Sequence, residues 1–490
     1  MSDQSDAYTP PEGSTTAHVL NTPSAELAYA ARADWMVMRE REKPVAEIFF
    51  VHYHLADADS SRPITFVFNG GPGAASAYLH MGAIGPRRVG FNPDGTPTPP
   101  PVQLADNAES WLSFTDLVFV DPIGTGFSRA VDEKTDEKND AEGDKEYWKV
   151  QKDLDTLGQF IARFLGAHHR WESPAFIAGE SYGGFRAARL ARLAQEKYGV
   201  GLNGVILISP ALEFSLLDSS DYDVLPWCDL VPSMAAAASH HQRGGYGDAP
   251  LETVLAEAED FATGALPRLL MRGAGVDAKE RTRTLRAMSK LIGLPADELE
   301  TAGGRVGASR FVRQLFREEG RICGLYDATV TAPDPFPDRD SYEGADPTLR
   351  SIERVFAAGV NTHLRKTLGV DTTRDYHLLS MEVNQGWKVD MERHALESQI
   401  GATDDLRYGM SLNPHMKVRI THGIYDLVTP YFSSNRIASL MRLSPAVRRN
   451  LSLKHYRGGH MFYAWEASRK EFSTDMAAFY QEALGGTATA

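Results

Sequence analysis

Cysteine is nearly absent from this 490-residue chain, which contains only Cys228 and Cys323. Two cysteines permit at most one bridge, so a disulfide framework is excluded and two reduced, partly buried thiols are expected. Long hydrophobic runs are missing as well, and none approaches the roughly 20 apolar residues that a membrane-spanning helix requires. The sequence therefore predicts no membrane association.

An excess of basic residues is also missing. Lys and Arg number 51 against 65 Asp and Glu, which gives a formal net charge of −14. An acidic surface repels phosphate backbones, so nucleic acid is not expected as a partner. The first residues are acidic and polar and do not resemble an export signal. A cytoplasmic location is therefore expected, with export an option if a signal was removed ahead of this numbering.

Strand and helix patterns alternate through the first half of the chain. Residues 1–25 are rich in Ser, Thr, Pro and Asp, which predicts a flexible leader. Beyond it, strand patterns alternate with helical periodicity, and this alternation predicts an α/β fold with a doubly wound, mostly parallel sheet. The strand patterns lie at residues 47–54, 64–68, 117–120, 175–178 and 204–208, and the helical patterns at 146–165 and 185–198.

The pattern changes after residue 212. Residues 213–410 are mostly helical and polar, with no convincing buried strand. Strands return at 418–421 and 451–455, and a helix follows over about 467–484. The sequence therefore predicts a discontinuous core, residues 26–212 and 411–490, interrupted by a helical cap or lid over 213–410.

A predicted strand–turn–helix contains a nucleophile motif. Residues 179–183 read Gly-Glu-Ser-Tyr-Gly, with a strand before them and a helix after them. In the G-x-S-x-G turn the serine hydroxyl projects above the sheet, and the glycines prevent collisions in a sharp corner. Ser181 is therefore predicted to be a nucleophile.

A serine hydroxyl needs a base to take its proton and an acid to orient that base. In this fold class the acid and then the histidine follow the serine along the chain. His460 lies in a glycine loop directly after the last apolar strand, whereas His422 and His455 lie within strand patterns. Asp426 lies in a turn after the preceding strand. The predicted triad is therefore Ser181, Asp426 and His460.

Acyl transfer also requires two N–H donors for the oxyanion. One is expected from Tyr182, the residue after the nucleophile. The other is expected from residues 69–73, Asn-Gly-Gly-Pro-Gly, which follow the strand pattern 64–68. Glycines at such a junction let the backbone approach a substrate closely.

Four ordered motifs resemble those of the serine carboxypeptidase family. They are Phe-Asn-Gly-Gly-Pro-Gly at 68–73, Asp-Pro-Ile-Gly-Thr-Gly-Phe-Ser at 121–128, Gly-Glu-Ser-Tyr-Gly-Gly at 179–184 and Gly-His-Met at 459–461. The resemblance covers about residues 45–212 and 415–465. It implies an α/β-hydrolase fold with a helical lid inserted into the sheet domain.

The resemblance also implies a role for each matching residue. Ser181, Asp426 and His460 would form the triad, and Gly71 and Tyr182 would supply the oxyanion N–H groups. The positions that hold the terminal carboxylate of the substrate correspond to Asn69, Gly70 and Glu180. The implied activity is release of C-terminal residues from peptides through an acyl-enzyme.

Two positions depart from the family pattern. Ala74 stands where the family has a cysteine, which agrees with a chain free of disulfides. Ala83 stands where the family has a second glutamate that shares a proton with the first. Its loss removes a neighbour that would raise the pKa of Glu180, so neither strict carboxypeptidase specificity nor the acidic working range of the family follows from the sequence.

Other functions remain open at this point. A proline iminopeptidase-like peptidase, an esterase or an acyltransferase could use the same fold, and a non-catalytic binding protein is a further alternative. No cofactor is required for the chemistry. No metal site is expected, because the histidine pairs 168–169 and 240–241 are sequence neighbours that do not face one ligand. A peptide is the expected partner, and the sequence predicts no oligomeric state.

Overall fold

The computed structural model describes residues 8–23, 25–131, 143–217, 219–339, 342–389 and 400–485. Its strands are β1 (Ser14–Asn21), β2 (Glu26–Glu40), β3 (Lys43–Leu55), β4 (Ile64–Phe68), β5 (Arg87–Val89), β6 (Leu104–Asp106), β7 (Asp116–Val120), β8 (Arg129–Ala130), β9 (Ala175–Glu180), β10 (Leu202–Ile208), β11 (Arg321–Cys323), β12 (Thr331–Pro333), β13 (Lys417–Gly423) and β14 (Leu451–Tyr456).

The α-helices alternate with the strands in the core and dominate the chain between β10 and β13. They are Ala77–Leu79, Val150–Ala167, Tyr182–Tyr198, Leu225–His240, Leu251–Thr263, Ala265–Arg272, Ala278–Ile292, Ala296–Thr301, Ala308–Gln314, Pro347–Thr362, Met381–Gly386, Thr403–Leu412, Tyr431–Leu440, Pro445–Arg448 and Glu466–Ala483. Two π-helical turns, His80–Ile84 and His363–Thr367, continue the helices that precede them.

A mixed sheet forms the centre of the molecule, in the order β1-β2-β3-β7-β4-β9-β10-β13-β14, with β8 paired to β3. Strands β7, β4, β9, β10, β13 and β14 are mutually parallel, and β1, β2 and β3 extend the sheet as antiparallel strands. Strands buried on both faces are continuous apolar runs, as in β4 and β7. The predicted α/β-hydrolase fold, with its mostly parallel sheet, is confirmed.

Two hydrophobic layers cover the sheet. Phe66 and Phe68 of β4 point to one face, where they pack with the helices Val150–Ala167 and Tyr182–Tyr198. Val67, between them, points to the other face, where the helix Glu466–Ala483 packs. A third cluster joins the helices between Leu225 and Ile292 to Tyr425 and Tyr431 beside the sheet.

Part of the segment predicted as a flexible leader, residues 1–25, is a strand. Ser14–Asn21 form β1, which pairs along its whole length with β2. The β-branched residues Thr15, Thr16 and Val19 favour an extended strand, and this preference outweighs the polar composition on which the prediction rested. Residues 1–7 lie outside the described residues.

The expectation of no buried strand in the insertion is also wrong. β11 and β12 form a small antiparallel pair there, and Ile322 and Cys323 of β11 are buried. Three residues are too short to show the alternation by which a strand is recognised in sequence. In the described part of the chain, no helix is both long and apolar enough to cross a membrane.

Candidate active site

Ser181 lies in the tight turn between β9 and the helix Tyr182–Tyr198, with φ 59° and ψ −123°. A residue other than glycine at such a positive φ is strained by about 1–3 kcal/mol. Backbone hydrogen bonds hold this conformation: Ser181 N–H donates to the Ile208 carbonyl at 2.9 Å, and Ala211 N–H donates to the Ser181 carbonyl at 3.1 Å. The end of β10 therefore fixes the turn.

Two glycines make this turn possible. A Cβ atom on Gly179 would lie 2.0 Å from the Gly183 carbonyl oxygen, and one on Gly183 would lie 2.5 Å from the Phe68 carbonyl oxygen. Both distances are far below van der Waals contact. The glycines of the motif are therefore required by the close approach of the backbone segments around Ser181.

Asp426 and His460 are in direct contact. His460 Nδ1 lies 2.7 Å from Asp426 Oδ2, and both side chains are buried. Asp426 Oδ1 accepts hydrogen bonds from the N–H groups of Val428 at 2.8 Å and Thr429 at 3.0 Å. The Thr429 hydroxyl donates to Asp426 Oδ2 at 2.7 Å. The carboxylate is therefore immobilised by donors and oriented toward the imidazole.

Hydrogen bonds to the backbone of His460 also fix the position of its imidazole. His460 N–H donates to the Tyr326 carbonyl at 2.5 Å, and the Ser209 hydroxyl donates to the His460 carbonyl at 2.8 Å. Burial disfavours a charged imidazole, but the charge and hydrogen bond of Asp426 outweigh it, so the pKa of His460 lies above its ordinary value. The aspartate therefore stabilises the imidazolium that forms when His460 takes a proton.

Ser181 and His460 line one cavity at the carboxyl ends of the parallel strands. The cavity therefore brings the predicted nucleophile and base to the same space, together with the glycine loop after β4 and Glu180. Its other lining residues are Asn69, Gly70, Gly71, Ala74, Tyr78, Glu180, Tyr326, Leu349, Leu379 and Met461.

The glycine loop lies directly against the start of the helix that follows Ser181. A Cβ atom on Gly70 would lie 2.5 Å from the Tyr182 nitrogen, so only glycine permits this approach. Gly71 has φ 98°, a conformation that favours glycine. Among the described residues, no backbone hydrogen bond uses the N–H of Gly71 or Tyr182. Both groups are therefore available to an oxyanion.

Glu180 is buried beside Ser181 and surrounded by hydrogen-bond donors. The Asn69 amide donates to Glu180 Oε2, and the Tyr463 hydroxyl lies 2.9 Å from Oε1 and 3.0 Å from Oε2. Burial raises the pKa of Glu180 to about 7, although His460, Tyr463 and Asn69 act against the rise. Glu180 is therefore uncharged below neutral pH.

Comparison with known proteins agrees with these motifs. Residues 26–214 match the family described as serine carboxypeptidase. Serine carboxypeptidase-like 33 of Arabidopsis thaliana is 30% identical over 186 residues, which make up 36% of this chain and 34% of that protein. The pheromone-processing carboxypeptidase kex1 of Aspergillus niger is 28% identical over 159 residues, 31% of this chain and 22% of that protein.

Residues 26–214 of the chain are thus similar to serine carboxypeptidases. The matched part spans about a third of the length of the first of these relatives. A solved structure, Kex1(delta)p, a prohormone-processing carboxypeptidase from Saccharomyces cerevisiae, aligns with 93% of this chain and 92% of its own, with a TM-score of 0.56 and 15% identity. At that identity the likeness shows the shared fold alone.

Two departures from the family pattern are visible in the structure. Ala74 lines the cavity, and both cysteines are free and buried elsewhere. Ala83 is buried in the π-helical turn His80–Ile84. The pKa of Glu180 is nevertheless raised, because burial and, to a smaller extent, the charge of Asp426 raise it without a second glutamate.

Sequence reasoning missed Tyr463, the residue that contacts both oxygens of Glu180. It lies three residues after His460, and the short 3₁₀ turn Phe462–Ala464 directs it back toward the site. Its proximity to His460 was the only signal in the sequence. No motif marks it, because the contact depends on how β9 and this turn meet in space.

Arg186, which the sequence analysis also missed, supports the glycine loop. Arg186 is fully buried in the helix after Ser181, and its Nη1 donates to the Asn69 carbonyl at 2.8 Å. Its Nε donates to Asp153 Oδ2 at 2.8 Å. The buried ion pair therefore connects the helix Val150–Ala167 to the residue at which β4 enters the loop.

We expect the change Arg186→Met to lower the free energy of unfolding by about 3–5 kcal/mol, because it removes the guanidinium that pairs with the buried Asp153 carboxylate. Urea unfolding followed by circular dichroism measures this. The matched control is Arg189→Met in the same helix, whose ion pair with Asp405 is partly exposed and should contribute less than about 1 kcal/mol. Equal losses in the two variants would contradict the role of the buried pair.

Proposed function

We propose that this chain is a serine carboxypeptidase that releases C-terminal residues from peptides through an acyl-enzyme. The observation that carries the proposal is the 2.7 Å contact of His460 with Asp426 at a cavity that Ser181 also lines. The match of residues 26–214 to the serine carboxypeptidase family supports it. The curated relatives match over only part of their length, so the activity is inferred from this site.

In this mechanism His460 removes the proton of the Ser181 hydroxyl as the oxygen attacks the scissile carbonyl. Asp426 keeps the imidazole in the correct tautomer and stabilises its charged form. The oxyanion accepts hydrogen bonds from the N–H groups of Gly71 and Tyr182. His460 then gives its proton to the leaving amine, and water attacks the acyl-enzyme by the same route in reverse.

The terminal carboxylate of the substrate binds near Asn69, Gly70 and Glu180 in this proposal. Below about pH 7 Glu180 is neutral, so it does not repel that carboxylate. Above this pH the ionised Glu180 opposes it. The raised pKa of a single buried glutamate therefore gives the site its preference for a free carboxylate at neutral and mildly acidic pH.

We expect blocked dipeptides with a free carboxylate to be cleaved faster than the same peptides amidated at the C-terminus, by about tenfold or more at pH 6. The preference should fall as the pH rises through about 7, because Glu180 then carries a charge. The measurement is kcat/KM for both substrates between pH 5.5 and 8.5, followed by mass spectrometry of the products, with Ser181→Ala as the inactive control.

Four results would redirect the proposal. Equal cleavage of free and amidated peptides at every pH would reject carboxylate recognition. Faster turnover of proline arylamides would favour an iminopeptidase, and faster turnover of nitrophenyl esters an esterase. Product transfer to an added alcohol would favour an acyltransferase.

A further inference from the structure

Tyr78 places an unused hydroxyl group at the active-site cavity. The side chain is 5% exposed and lines the cavity together with Ser181, Glu180 and His460. Its oxygen is buried and has no hydrogen-bond partner among the described residues. A buried hydroxyl without a partner costs about 1–3 kcal/mol, so its presence beside the catalytic groups calls for a ligand.

The neighbouring tyrosine provides a contrast. The hydroxyl of Tyr463 is occupied by both oxygens of Glu180. Asn69 is partly committed, because one N–H of its amide donates to Glu180 and its Oδ1 accepts from Leu79 N–H at 2.9 Å. Tyr78 therefore offers a donor that no protein group uses.

The position of Tyr78 matches the missing acid. Tyr78 lies in the helix Ala77–Leu79, which runs directly into the π-helical turn containing Ala83. The two residues are five apart in this continuous helical segment, so they lie a little more than one turn apart. Tyr78 lines the cavity, and Ala83 is not among its described lining residues.

The ring of Tyr78 is fixed, and its hydroxyl remains protonated. Its centroid lies 4.9 Å from that of Phe356 in an edge-on contact. Burial, together with Glu353, Tyr326 and Glu180, holds the pKa of Tyr78 well above its ordinary value. The hydroxyl therefore remains a donor throughout the pH range in which an enzyme works.

The cavity lining is poor in permanently charged donors. None of the described residues that line it is Lys or Arg, and the imidazole of His460 is paired with Asp426 through Nδ1. A carboxylate bound there would therefore gain from an uncharged donor, because a hydrogen bond to a charged acceptor is stronger than one between neutral groups.

We propose that the Tyr78 hydroxyl donates a hydrogen bond to the terminal carboxylate of the substrate, in place of the acid that is missing at Ala83. This inference rests on the proposed carboxypeptidase function, whose substrate it defines more closely. Tyr78 is then a specificity-determining residue for a free C-terminus.

Calorimetric titration tests the inference without requiring turnover. The probes are N-benzoyl-phenylalanine, which has a free carboxylate, and its C-terminal amide, both at pH 6.5. The intact protein should bind the acid more tightly than the amide. Tyr78→Phe should raise the Kd for the acid by about 10- to 100-fold, the range expected for one hydrogen bond to a charged group, and leave the amide unaffected.

Thermal unfolding separates this role from a structural one. Because the hydroxyl has no partner in the protein, Tyr78→Phe should leave the Tm unchanged or raise it. Tyr222→Phe, at a 96% exposed side chain, is the control for loss of a tyrosine hydroxyl and should change neither measurement.

The inference is overturned if Tyr78→Phe binds the acid as tightly as the intact protein, if the intact protein prefers the amide or binds neither probe, or if the variant loses stability. Failure of the proposed function would look different. In that case the acid would bind, and Tyr78→Phe would weaken it, but the intact protein would release no C-terminal residue from peptides.

Discussion

The change Ser181→Ala is expected to lower kcat for peptide cleavage by about a million-fold, because it removes the nucleophile from a triad whose members act as a unit. For the same reason, the double change Ser181→Ala with His460→Ala should be no worse than either single change by more than a few-fold. The measurement is single-turnover cleavage of a blocked dipeptide at high enzyme concentration, which detects the residual rate.

The fold should survive this change, since the turn at residue 181 is held by backbone hydrogen bonds to Ile208 and Ala211. An unchanged Tm is therefore the control. Additive losses in the double variant would show that Ser181 and His460 do not act together. If the intact, folded protein does not react with a fluorophosphonate, the chain is a binding protein on a hydrolase scaffold.

Acidification below about pH 6.5 is expected to destabilise the protein, because of a buried histidine network. The Tyr53 hydroxyl lies 2.7 Å from His80 Nε2 and 2.7 Å from His363 Nε2, and all three side chains are buried. The two imidazole centroids are 5.5 Å apart. Charging both rings would place two cations close together in the core, with no water to screen them.

The sign of the effect follows from the pKa of His363. Burial, with Arg87 and His18, lowers it to about 3 from the ordinary 6.5, and burial holds the pKa of His80 well below its ordinary value. The unfolded chain therefore binds more protons than the folded chain below pH 6.5, so stability falls as the pH falls. For His363 alone, the loss is about 2 kcal/mol by pH 5 and about 4 kcal/mol by pH 3.

Urea unfolding at pH 8, 6.5, 5.5 and 4.5 measures this loss. His363→Gln should be less stable than the parent at pH 8, because it loses a buried contact, yet its stability should fall less steeply below pH 6.5. His415→Gln, at an exposed histidine, should retain the slope of the parent. A His363→Gln variant with the parental slope would assign the acid sensitivity to other groups.

The parallel core of the fold was predictable from the sequence. The apolar runs at β4, β7, β9, β10, β13 and β14 lie where the sequence predicts strands, because a strand buried on both faces leaves a continuous hydrophobic signature. The final helix, predicted at about 467–484, is Glu466–Ala483. By contrast, β1 is exposed on alternate residues and polar in composition, so its pairing with β2 could be seen only in three dimensions.

The residues of the candidate site were likewise only partly predictable from the sequence. Ser181, Asp426 and His460 were found because the chemistry requires certain residue types after certain strands, and the structure brings Asp426 and His460 into contact. No sequence motif identifies Tyr463, Tyr78 or Arg186. Their roles depend on contacts between residues that are far apart in the sequence. A hydroxyl group that lacks a hydrogen-bond partner cannot be recognised from the sequence.

The location of the two thiols has a practical consequence. Cys228 and Cys323 both belong to the hydrophobic cluster between β10 and β13, and burial raises the pKa of Cys228 to about 12. A sulfhydryl that is buried and protonated reacts with alkylating reagents only after its surroundings open. The sequence contains no other cysteine. The rate of alkylation in native buffer therefore measures how often the hydrophobic cluster around these two thiols opens.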